Sequence, residues 1–233
     1  MRIAVISDVH SNIHALCAVL AEMRKAKVDG VLCCGDIIGY GAYPNECIEM
    51  IENITVESIQ GNHDRGIITS NYYGFNPIAT EALLWTEKVL TKESFKWLES
   101  LPYVRVEVEM GGINFTVAHG SPLDPDEYIF PSESPPRRLE LYLAQMESDF
   151  ILIGHTHIPY VWQCEYGIIL NPGAVGQPRD FDPRASFALI DIEEDLKAKI
   201  DIVRVDYDIQ AAARAIIEKD LPEFLAKRLF LGE

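Results

Sequence analysis

The beginning of the chain alternates short apolar runs with segments of helical periodicity, and this order restricts the fold more than any other feature. The apolar runs are Arg2–Ser7, Gly30–Cys34 and Val56–Ile59, and the helical segments between them are Asn12–Lys25 and Pro44–Ile51. A strand–helix–strand–helix–strand order is typical of a parallel sheet covered by helices. The sequence therefore predicts an α/β fold whose first strands are parallel.

Later in the chain, strands follow strands through short turns. Val104–Met110 and Ile113–Ala118 flank a Gly-Gly turn, and Val161–Cys164 with Gly167–Leu170 has the pattern of a second hairpin. We therefore predict two packed, mixed sheets with helices outside them. No internal repeat or linker divides the sequence, so residues 1–233 are predicted to form a single domain. The other predicted strands are Ile151–Ile153, Ser186–Ile192 and Lys199–Val205, and the other predicted helices are Glu81–Leu90, Glu93–Leu101, Arg138–Met146, Asp208–Glu218 and Pro222–Phe230.

Charge and hydropathy restrict the partners and the location of the chain. The formal net charge is −16, which repels both the nucleic-acid backbone and an anionic membrane surface. No apolar run approaches the roughly eighteen residues that are needed to cross a bilayer, and nothing near the N-terminus has the pattern of a signal peptide. We expect a cytoplasmic protein that binds neither a nucleic-acid polymer nor a membrane. The sequence leaves the oligomeric state open, a homo-oligomer included.

Polar residues follow the predicted strands at the points where the strands end. Five of the six histidines lie there, whereas His14 follows His10 at helical spacing and is predicted to be a helix residue near the site. Ligands of such sheets bind in the crevice beyond the strand ends. Imidazole and carboxylate groups together suit divalent ions such as Zn, Mn or Fe, and seven candidates are too many for one tetrahedral site. The candidates, which suit two ions with a shared carboxylate, are Asp8, His10, Asp36, Asn62, His119, His155 and His157.

The same residues occur in five ordered blocks: Asp-x-His, Gly-Asp, Gly-Asn-His-Asp, Ala-His-Gly and Gly-His-Thr-His. A sixth block, NPGAVGQPRD, follows at Asn171–Asp180. This series resembles the calcineurin-like metallophosphoesterase superfamily. The resemblance implies a four-layer α/β/β/α sandwich of two mixed sheets and a phosphoester hydrolase with a dinuclear metal centre.

The resemblance also implies a role for each candidate ligand. It assigns one ion to Asp8, His10 and His157. It assigns a second ion to Asn62, His119 and His155, with Asp36 as the bridge between the two ions. The metals remain open among Mn, Fe, Zn, Co and Ni, because all of them accept these ligands.

The implied reaction is attack on phosphorus by a hydroxide that bridges the two ions. His63 is implied as the catalytic histidine beside the scissile phosphate, where it stabilises charge or protonates the leaving oxygen. Asp64 either orients His63 or caps a turn. His155 and His157 alternate along the chain, which in an extended segment places both side chains on one face.

One block departs from the pattern of the protein Ser/Thr phosphatases, which carry Gly-Asp-x-x-Asp-Arg-Gly. The stretch GDIIGYG has Gly39 and Tyr40 at the positions of that second Asp and the Arg. The blocks SDVHSN and NPGAVGQPRD are more similar to small prokaryotic phosphodiesterases and to relatives of diadenosine tetraphosphate hydrolases. We therefore expect a small phosphodiester or nucleotide-type substrate. A phosphoprotein phosphatase and a non-catalytic protein-binding scaffold of the same fold stay open as alternatives.

Candidate substrate contacts flank the predicted site. Asn12, Tyr40 and Arg179 are predicted to lie at its mouth. The stretch Arg65–Pro77 supplies aromatic residues that either stack on a nucleobase or form a surface cluster or a dimer contact. The stretch Ser121–Arg138, rich in Pro and acidic residues, forms either a rim or a lid, and its two arginines either meet phosphate or carry surface charge. The aromatic residues are Tyr72, Tyr73 and Phe75, and the arginines are Arg137 and Arg138.

Overall fold

The alternating apolar runs form strands and the segments between them form helices. The computed structural model describes residues 1–192 and 198–233. No helix within these ranges combines the length and the apolar character needed to cross a membrane. In chain order the elements are β1 (Arg2–Ile6), α1 (Ile13–Ala26), β2 (Gly30–Cys33), α2 (Pro44–Ile54), β3 (Glu57–Ser58), α3 (Asn62–Thr69), α4 (Pro77–Val89), α5 (Lys92–Ser100), β4 (Arg105–Met110), β5 (Ile113–Ala118), α6 (Pro136–Met146), β6 (Phe150–Leu152), β7 (Tyr160–Cys164), β8 (Gly167–Asn171), β9 (Ala185–Ile192), β10 (Ala198–Val205), α7 (Ile209–Glu218) and α8 (Glu223–Arg228).

The strands form two sheets of five strands each. In the first sheet, with the order β10-β9-β1-β2-β3, the three N-terminal strands are parallel and β9 is antiparallel to both of its neighbours. In the second sheet, with the order β4-β5-β6-β8-β7, the central strands β5, β6 and β8 are parallel and the outer strands are antiparallel to their neighbours. The predicted pair of mixed sheets is therefore confirmed.

The two sheets pack against each other, and helices cover their outer faces. Because side chains of a strand alternate between faces, Ile3 and Val5 join the apolar cluster that also contains Phe115 and Phe150 of the second sheet. Ala4 and its alternating neighbour Ile6 instead join the cluster beneath α1 and α2. A third cluster places α6 on the outer face of the second sheet. This is the four-layer α/β/β/α arrangement that the family resemblance implies, and β1 is continuously apolar because both of its faces are buried.

Helix α3 is the main element that the sequence analysis misses. Its Gly66 and the β-branched residues that follow have low helix propensity, so no helical signal is visible in the stretch. Tertiary contacts fix the helix instead: the Asp64 carboxylate accepts hydrogen bonds from Gly61 at the start of the helix, at 2.9 Å, and from the neighbouring loop. The other predicted elements are present with shifted ends, and β3 is reduced to two residues.

The carboxyl ends of the parallel strands in both sheets meet at one edge of the sandwich. The loop after β6 contacts the first sheet there, since His155 N donates to Asp8 Oδ2 at 3.2 Å. The imidazole of His119, directly after β5, reaches the backbone of Cys34 at 2.7 Å. Gly154 allows this approach, because a Cβ at that position would lie 1.9 Å from Ser7 Oγ. Polar residues from both sheets are therefore brought together at this edge.

The two C-terminal helices complete the fold beside this edge. Helices α7 and α8 share an apolar cluster with Tyr40 and Ala42 of the loop after β2, and with Ala79 and Ala82 of α4. The two helices therefore pack against the loop that carries Tyr40 and stabilise its position.

We predict that Phe115→Ala lowers the free energy of unfolding by about 3–5 kcal/mol, because it leaves a cavity between the sheets. Phe115 is 1% exposed and stacks on Phe150 with ring centroids 5.2 Å apart. Urea unfolding followed by circular dichroism measures the change. The matched control is Phe181→Ala, at a side chain that is 78% exposed, and its effect should stay within about 0.5 kcal/mol. Equal effects of the two substitutions would contradict this packing.

Candidate metal centre

The loops after the strands hold the candidate ligands in an unusual backbone conformation. Five of the seven candidates have a positive φ, between 48° and 65°. Such angles are costly for residues other than glycine and are found at functional sites. The prediction of an extended segment at His155 and His157 is wrong, because both residues adopt this left-handed conformation. Both rings nonetheless face the cluster: His157 stacks on His10 at 4.9 Å, and His155 packs on His119 at 4.8 Å between ring centroids.

Four candidates form a tight buried group. Asp8, His10, Asp36 and His157 each offer one ligand atom, and these atoms all lie within 4.8 Å of one another. The shortest contact with a carboxylate joins His157 Nε2 to Asp8 Oδ1 at 3.2 Å. That same Asp8 oxygen is buried and has no hydrogen-bond partner. The group therefore concentrates acceptor atoms where water does not reach.

Backbone carbonyls fix which ring nitrogens of this group face inward. His10 Nδ1 lies 3.0 Å from Ile38 O, and His157 Nδ1 lies 2.6 Å from Gln177 O. A carbonyl only accepts, so each Nδ1 carries a proton and each Nε2 of the neutral ring presents a lone pair. Burial lowers the pKa of both histidines well below its ordinary value, which keeps the rings neutral. The two Nε2 atoms lie only 3.3 Å apart, and a divalent cation between them fits this arrangement of donors.

The remaining three candidates lie on the other side of Asp36. His119 Nε2 is 3.1 Å from Asn62 Oδ1 and 3.5 Å from Asp36 Oδ2. His155 directs Nε2 to the carbonyl of Asp126 at 3.1 Å, which leaves Nδ1 as its potential ligand atom. Asp36 Oδ2 is also 3.5 Å from His10 Nε2. The Asp36 carboxylate therefore contacts both groups, as a bridging ligand would.

Charge is distributed unevenly over the centre. Burial opposes charge on His119, but the Asp36 carboxylate outweighs it and raises the pKa of His119 to about 9. Burial lowers the pKa of His155 to about 3, and the positive charge on His119 adds to that effect. Burial also raises the pKa of Asp8 to about 7. A proton and a metal ion therefore compete for His119, whereas His155 is neutral and available.

His63 lies beside the cluster without joining it. Its ring centroid is 4.8 Å from His10 and 4.4 Å from Tyr40, and burial lowers its pKa to about 4. The Nδ1 atom is buried without a hydrogen-bond partner. A Cβ on Gly39, whose φ is +91°, would lie 2.3 Å from that Nδ1. The glycine that departs from the phosphatase pattern therefore provides the space for the His63 ring.

Asp64 is occupied by the backbone rather than by His63. Its buried carboxylate accepts hydrogen bonds from the N–H groups of Gly61, Ile37 and Ile38, at 2.9–3.2 Å. These contacts join the start of α3 to the loop that carries Asp36. Of the two interpretations that the sequence left open, capping describes the contacts of Asp64.

The predicted substrate contacts separate into two kinds. Asn12 caps α1, with Oδ1 accepting from Ala15 N at 3.1 Å and Nδ2 donating to Gly176 O at 2.9 Å, so its amide serves the backbone. Tyr40 and Arg179 instead line a cleft of about 100 Å³ over the cluster, together with His63 and Asn62. Arg179 Nη2 lies 3.4 Å from Tyr40 Oη.

The aromatic stretch after α3 divides in a similar way. Tyr72 donates to Glu87 at 2.8 Å and packs against the core, and Phe75 meets the His63 ring edge-on at 5.0 Å. Only the Tyr73 side chain extends into solvent, with 95% of it exposed. The stretch is therefore not one aromatic surface cluster.

The loop before α6 forms a rim over His155. Tyr128 stacks on the His155 ring at 3.8 Å, and Asp126 supplies the carbonyl that orients it. Neither residue stands out in the sequence, because a backbone carbonyl and a lone tyrosine leave no motif. Arg138 pairs with Glu127 and donates to Tyr142 Oη at 2.9 Å, so its guanidinium is engaged by surface residues rather than by the cluster.

Comparison with known proteins identifies similar chains over the whole length. A model of the calcineurin-like phosphoesterase superfamily domain matches residues 1–195. An uncharacterized protein of Methanocaldococcus jannaschii is 41% identical and aligns with 99% of this chain and 98% of its own. The crystal structure of a metallophosphoesterase from Sphaerobacter thermophilus has 36% identity and a TM-score of 0.82, and covers 100% of this chain and 99% of its own. That of a hypothetical protein from Pyrococcus horikoshii has 27% identity and a TM-score of 0.89, and covers 100% and 98%.

We predict that His157→Ala weakens the binding of Mn²⁺ by about 10-fold to 100-fold or more. Loss of a residue that only orients a ligand usually lowers metal affinity by this factor, and loss of the ligand itself should lower it at least as much. Equilibrium dialysis with elemental analysis measures the affinity and the number of bound ions. His14→Ala is the matched control, because His14 lies on α1 and packs on Tyr43 rather than on the cluster. Equal metal binding by the two variants would refute the assignment.

We also predict that Mn²⁺ binding strengthens as pH rises from 6 to 8. The pKa of His119 is raised to about 9, so a proton must leave this ring before the ion binds, and the apparent affinity should rise at least about tenfold per pH unit. Below pH 7 the raised pKa of Asp8, about 7, adds a second proton that must be released. In His119→Gln the affinity should be lower and should depend less steeply on pH. Calorimetric titrations across this range measure both slopes, and identical slopes would contradict the role of His119.

Proposed function

The chain belongs to the calcineurin-like phosphoesterase superfamily, and from this premise we propose that it is a dinuclear metal-dependent phosphoesterase. Its substrate is a small phosphodiester or a nucleotide-type phosphoester. The family and the buried Asp/His cluster support metal-dependent phosphoester hydrolysis. We also propose that residues 1–233 act as one metallophosphoesterase domain, because α7 and α8 share a core with the loop that carries Tyr40.

One observation carries the proposal: two imidazole lone pairs face each other in a buried acidic pocket. His10 Nε2 and His157 Nε2 are 3.3 Å apart, and carbonyl groups hold the proton of each ring at Nδ1. Without a cation this contact is repulsive. Buried polar groups need partners, so an arrangement of this kind is explained by metal binding and not by stability.

Following the family resemblance, we propose one ion at Asp8, His10 and His157, and a second at Asn62, His119 and His155. The contacts of Asp36 Oδ2 with His10 and His119, both 3.5 Å, support its role as the shared ligand. Divalent ions held there would supply an activated water and neutralise charge on the phosphate. The donor set suits Mn, Fe, Zn, Co or Ni.

Residues of the chain itself complete the reaction site. Arg179 lines the cleft and has a buried Nε without a hydrogen-bond partner, so it is placed to bind a phosphoryl oxygen. His63 is neutral because burial lowers its pKa to about 4, and a neutral imidazole keeps one N–H to donate to a phosphoryl or leaving oxygen. Tyr40 packs on the His63 ring at 4.4 Å and holds its orientation.

The dimensions of the cleft favour a small substrate. Its volume of about 100 Å³ is below the usual range of about 300–1,000 Å³ for ligand pockets, so it suits a phosphoryl group better than a large ligand. The net charge of −16 adds repulsion against a long polyanion. Both features disfavour a nucleic-acid polymer as the substrate.

The proposal is tested by turnover of bis-p-nitrophenyl phosphate and p-nitrophenyl phosphate with added Mn²⁺. We expect the diester to be cleaved, and a chelator to abolish the cleavage until Mn²⁺ is restored. If the monoester is cleaved faster than the diester, the protein is a phosphatase rather than a phosphodiesterase. Metal binding without cleavage of either ester would favour the non-catalytic scaffold.

A second measurement separates catalysis from metal binding. His63→Ala should lower kcat for the diester by about 10²-fold to 10⁴-fold, the usual contribution of an acid–base group, while the content of bound Mn²⁺ stays that of the wild type. His14→Ala, with both quantities near wild type, is the control. Loss of metal from His63→Ala would show that His63 is a ligand rather than a catalytic residue.

A further inference from the structure

A wide groove continues from the metal cleft along α3. The groove has a volume of about 480 Å³, and the cleft beside it about 100 Å³. Asn62, Phe75, Tyr128 and His155 line both of them. A molecule with its phosphate in the cleft therefore extends directly into the groove.

The groove has the size of a ligand site. Pockets for small molecules usually measure about 300–1,000 Å³, and the groove at about 480 Å³ lies inside this range. The groove is thus dimensioned for an organic substituent of the phosphate.

The walls of the groove carry aromatic and neutral polar groups. Its two formally charged side chains, Arg65 and Asp126, form an ion pair with each other. Asn71 and Thr69 add an amide and a hydroxyl. These walls suit an uncharged group with a planar ring and hydroxyls. They are less suited to a second anionic group, because the cationic side chain of the groove is already paired.

Tyr73 is the wall residue that the fold does not use. Its side chain is 95% exposed at the groove, whereas the adjacent Tyr72 is bonded to Glu87 and packed against the core. Across the loops, Tyr128 is 53% exposed above His155. Aromatic rings in contact with water are the surfaces on which nucleobases stack.

We propose that this groove is a nucleoside subsite, which binds the base of a phosphodiester substrate against Tyr73 and Tyr128 while the phosphate occupies the cleft. The inference rests on the proposed function and narrows its substrate class to nucleoside esters of phosphate. Tyr73 then acts as a specificity residue that contacts substrate without contributing to the fold.

Direct binding of AMP and of ribose 5-phosphate to the Mn²⁺-loaded protein tests the subsite. The two ligands share a phosphate and a sugar and differ by the base. We expect AMP to bind about fivefold to 100-fold more tightly, which is the ratio that stacking of one base gives. In Tyr73→Ala the preference for AMP over ribose 5-phosphate should fall, because only Tyr128 remains to stack on the base, and the affinity for ribose 5-phosphate should not change. Isothermal titration calorimetry measures all four values.

Two further variants control for indirect effects. Tyr73→Phe keeps the ring and should keep the preference for AMP. Tyr166→Ala removes another exposed tyrosine, 53% exposed between β7 and β8, and should change neither affinity. Equal affinity of the wild type for the two ligands, or an equal loss of both in Tyr73→Ala, would overturn the subsite. Because these titrations need no turnover, failure to cleave bis-p-nitrophenyl phosphate would overturn the proposed function and leave the subsite to be judged on binding.

Discussion

The contact between His10 and His157 is the constraint around which this edge of the molecule is organised. Two unprotonated ring nitrogens 3.3 Å apart repel each other unless a cation lies near them, and the surrounding carboxylates are buried as well. The protein holds this arrangement through bonds on the far side of each ring, to carbonyls of other loops. One nitrogen of each ring thus fixes the orientation of the ring, and the other nitrogen is left free to bind a metal ion.

The two sheets share this task. The first sheet supplies Asp8, His10, Asp36 and Asn62, and the second supplies the histidines after β5 and β6. The loops between them are in left-handed conformations at five candidate ligands. Such strain persists only where surrounding structure determines it, and the packed layer of the two sheets provides that support.

The sequence predicts the two sheets, and it indicates which polar residues follow their strands, because both depend on patterns that a chain shows directly. Apolar runs identify strands buried on both faces, and polar residues after them identify the edge. Contacts between distant segments leave no such pattern. The helix at Asn62 is fixed by Asp64, the segment at His155 is left-handed rather than extended, and Asn12 is engaged by Gly176. Each of these depends on a partner far away in sequence.

Gly39 restricts the side chains that position 39 can carry. The ring of His63 occupies the volume that any side chain at position 39 would need. A side chain at position 39 therefore requires the His63 ring to shift, and that ring packs against Tyr40 and Phe75. A substitution at this glycine thus acts on the orientation of His63, although position 39 holds none of the candidate ligands.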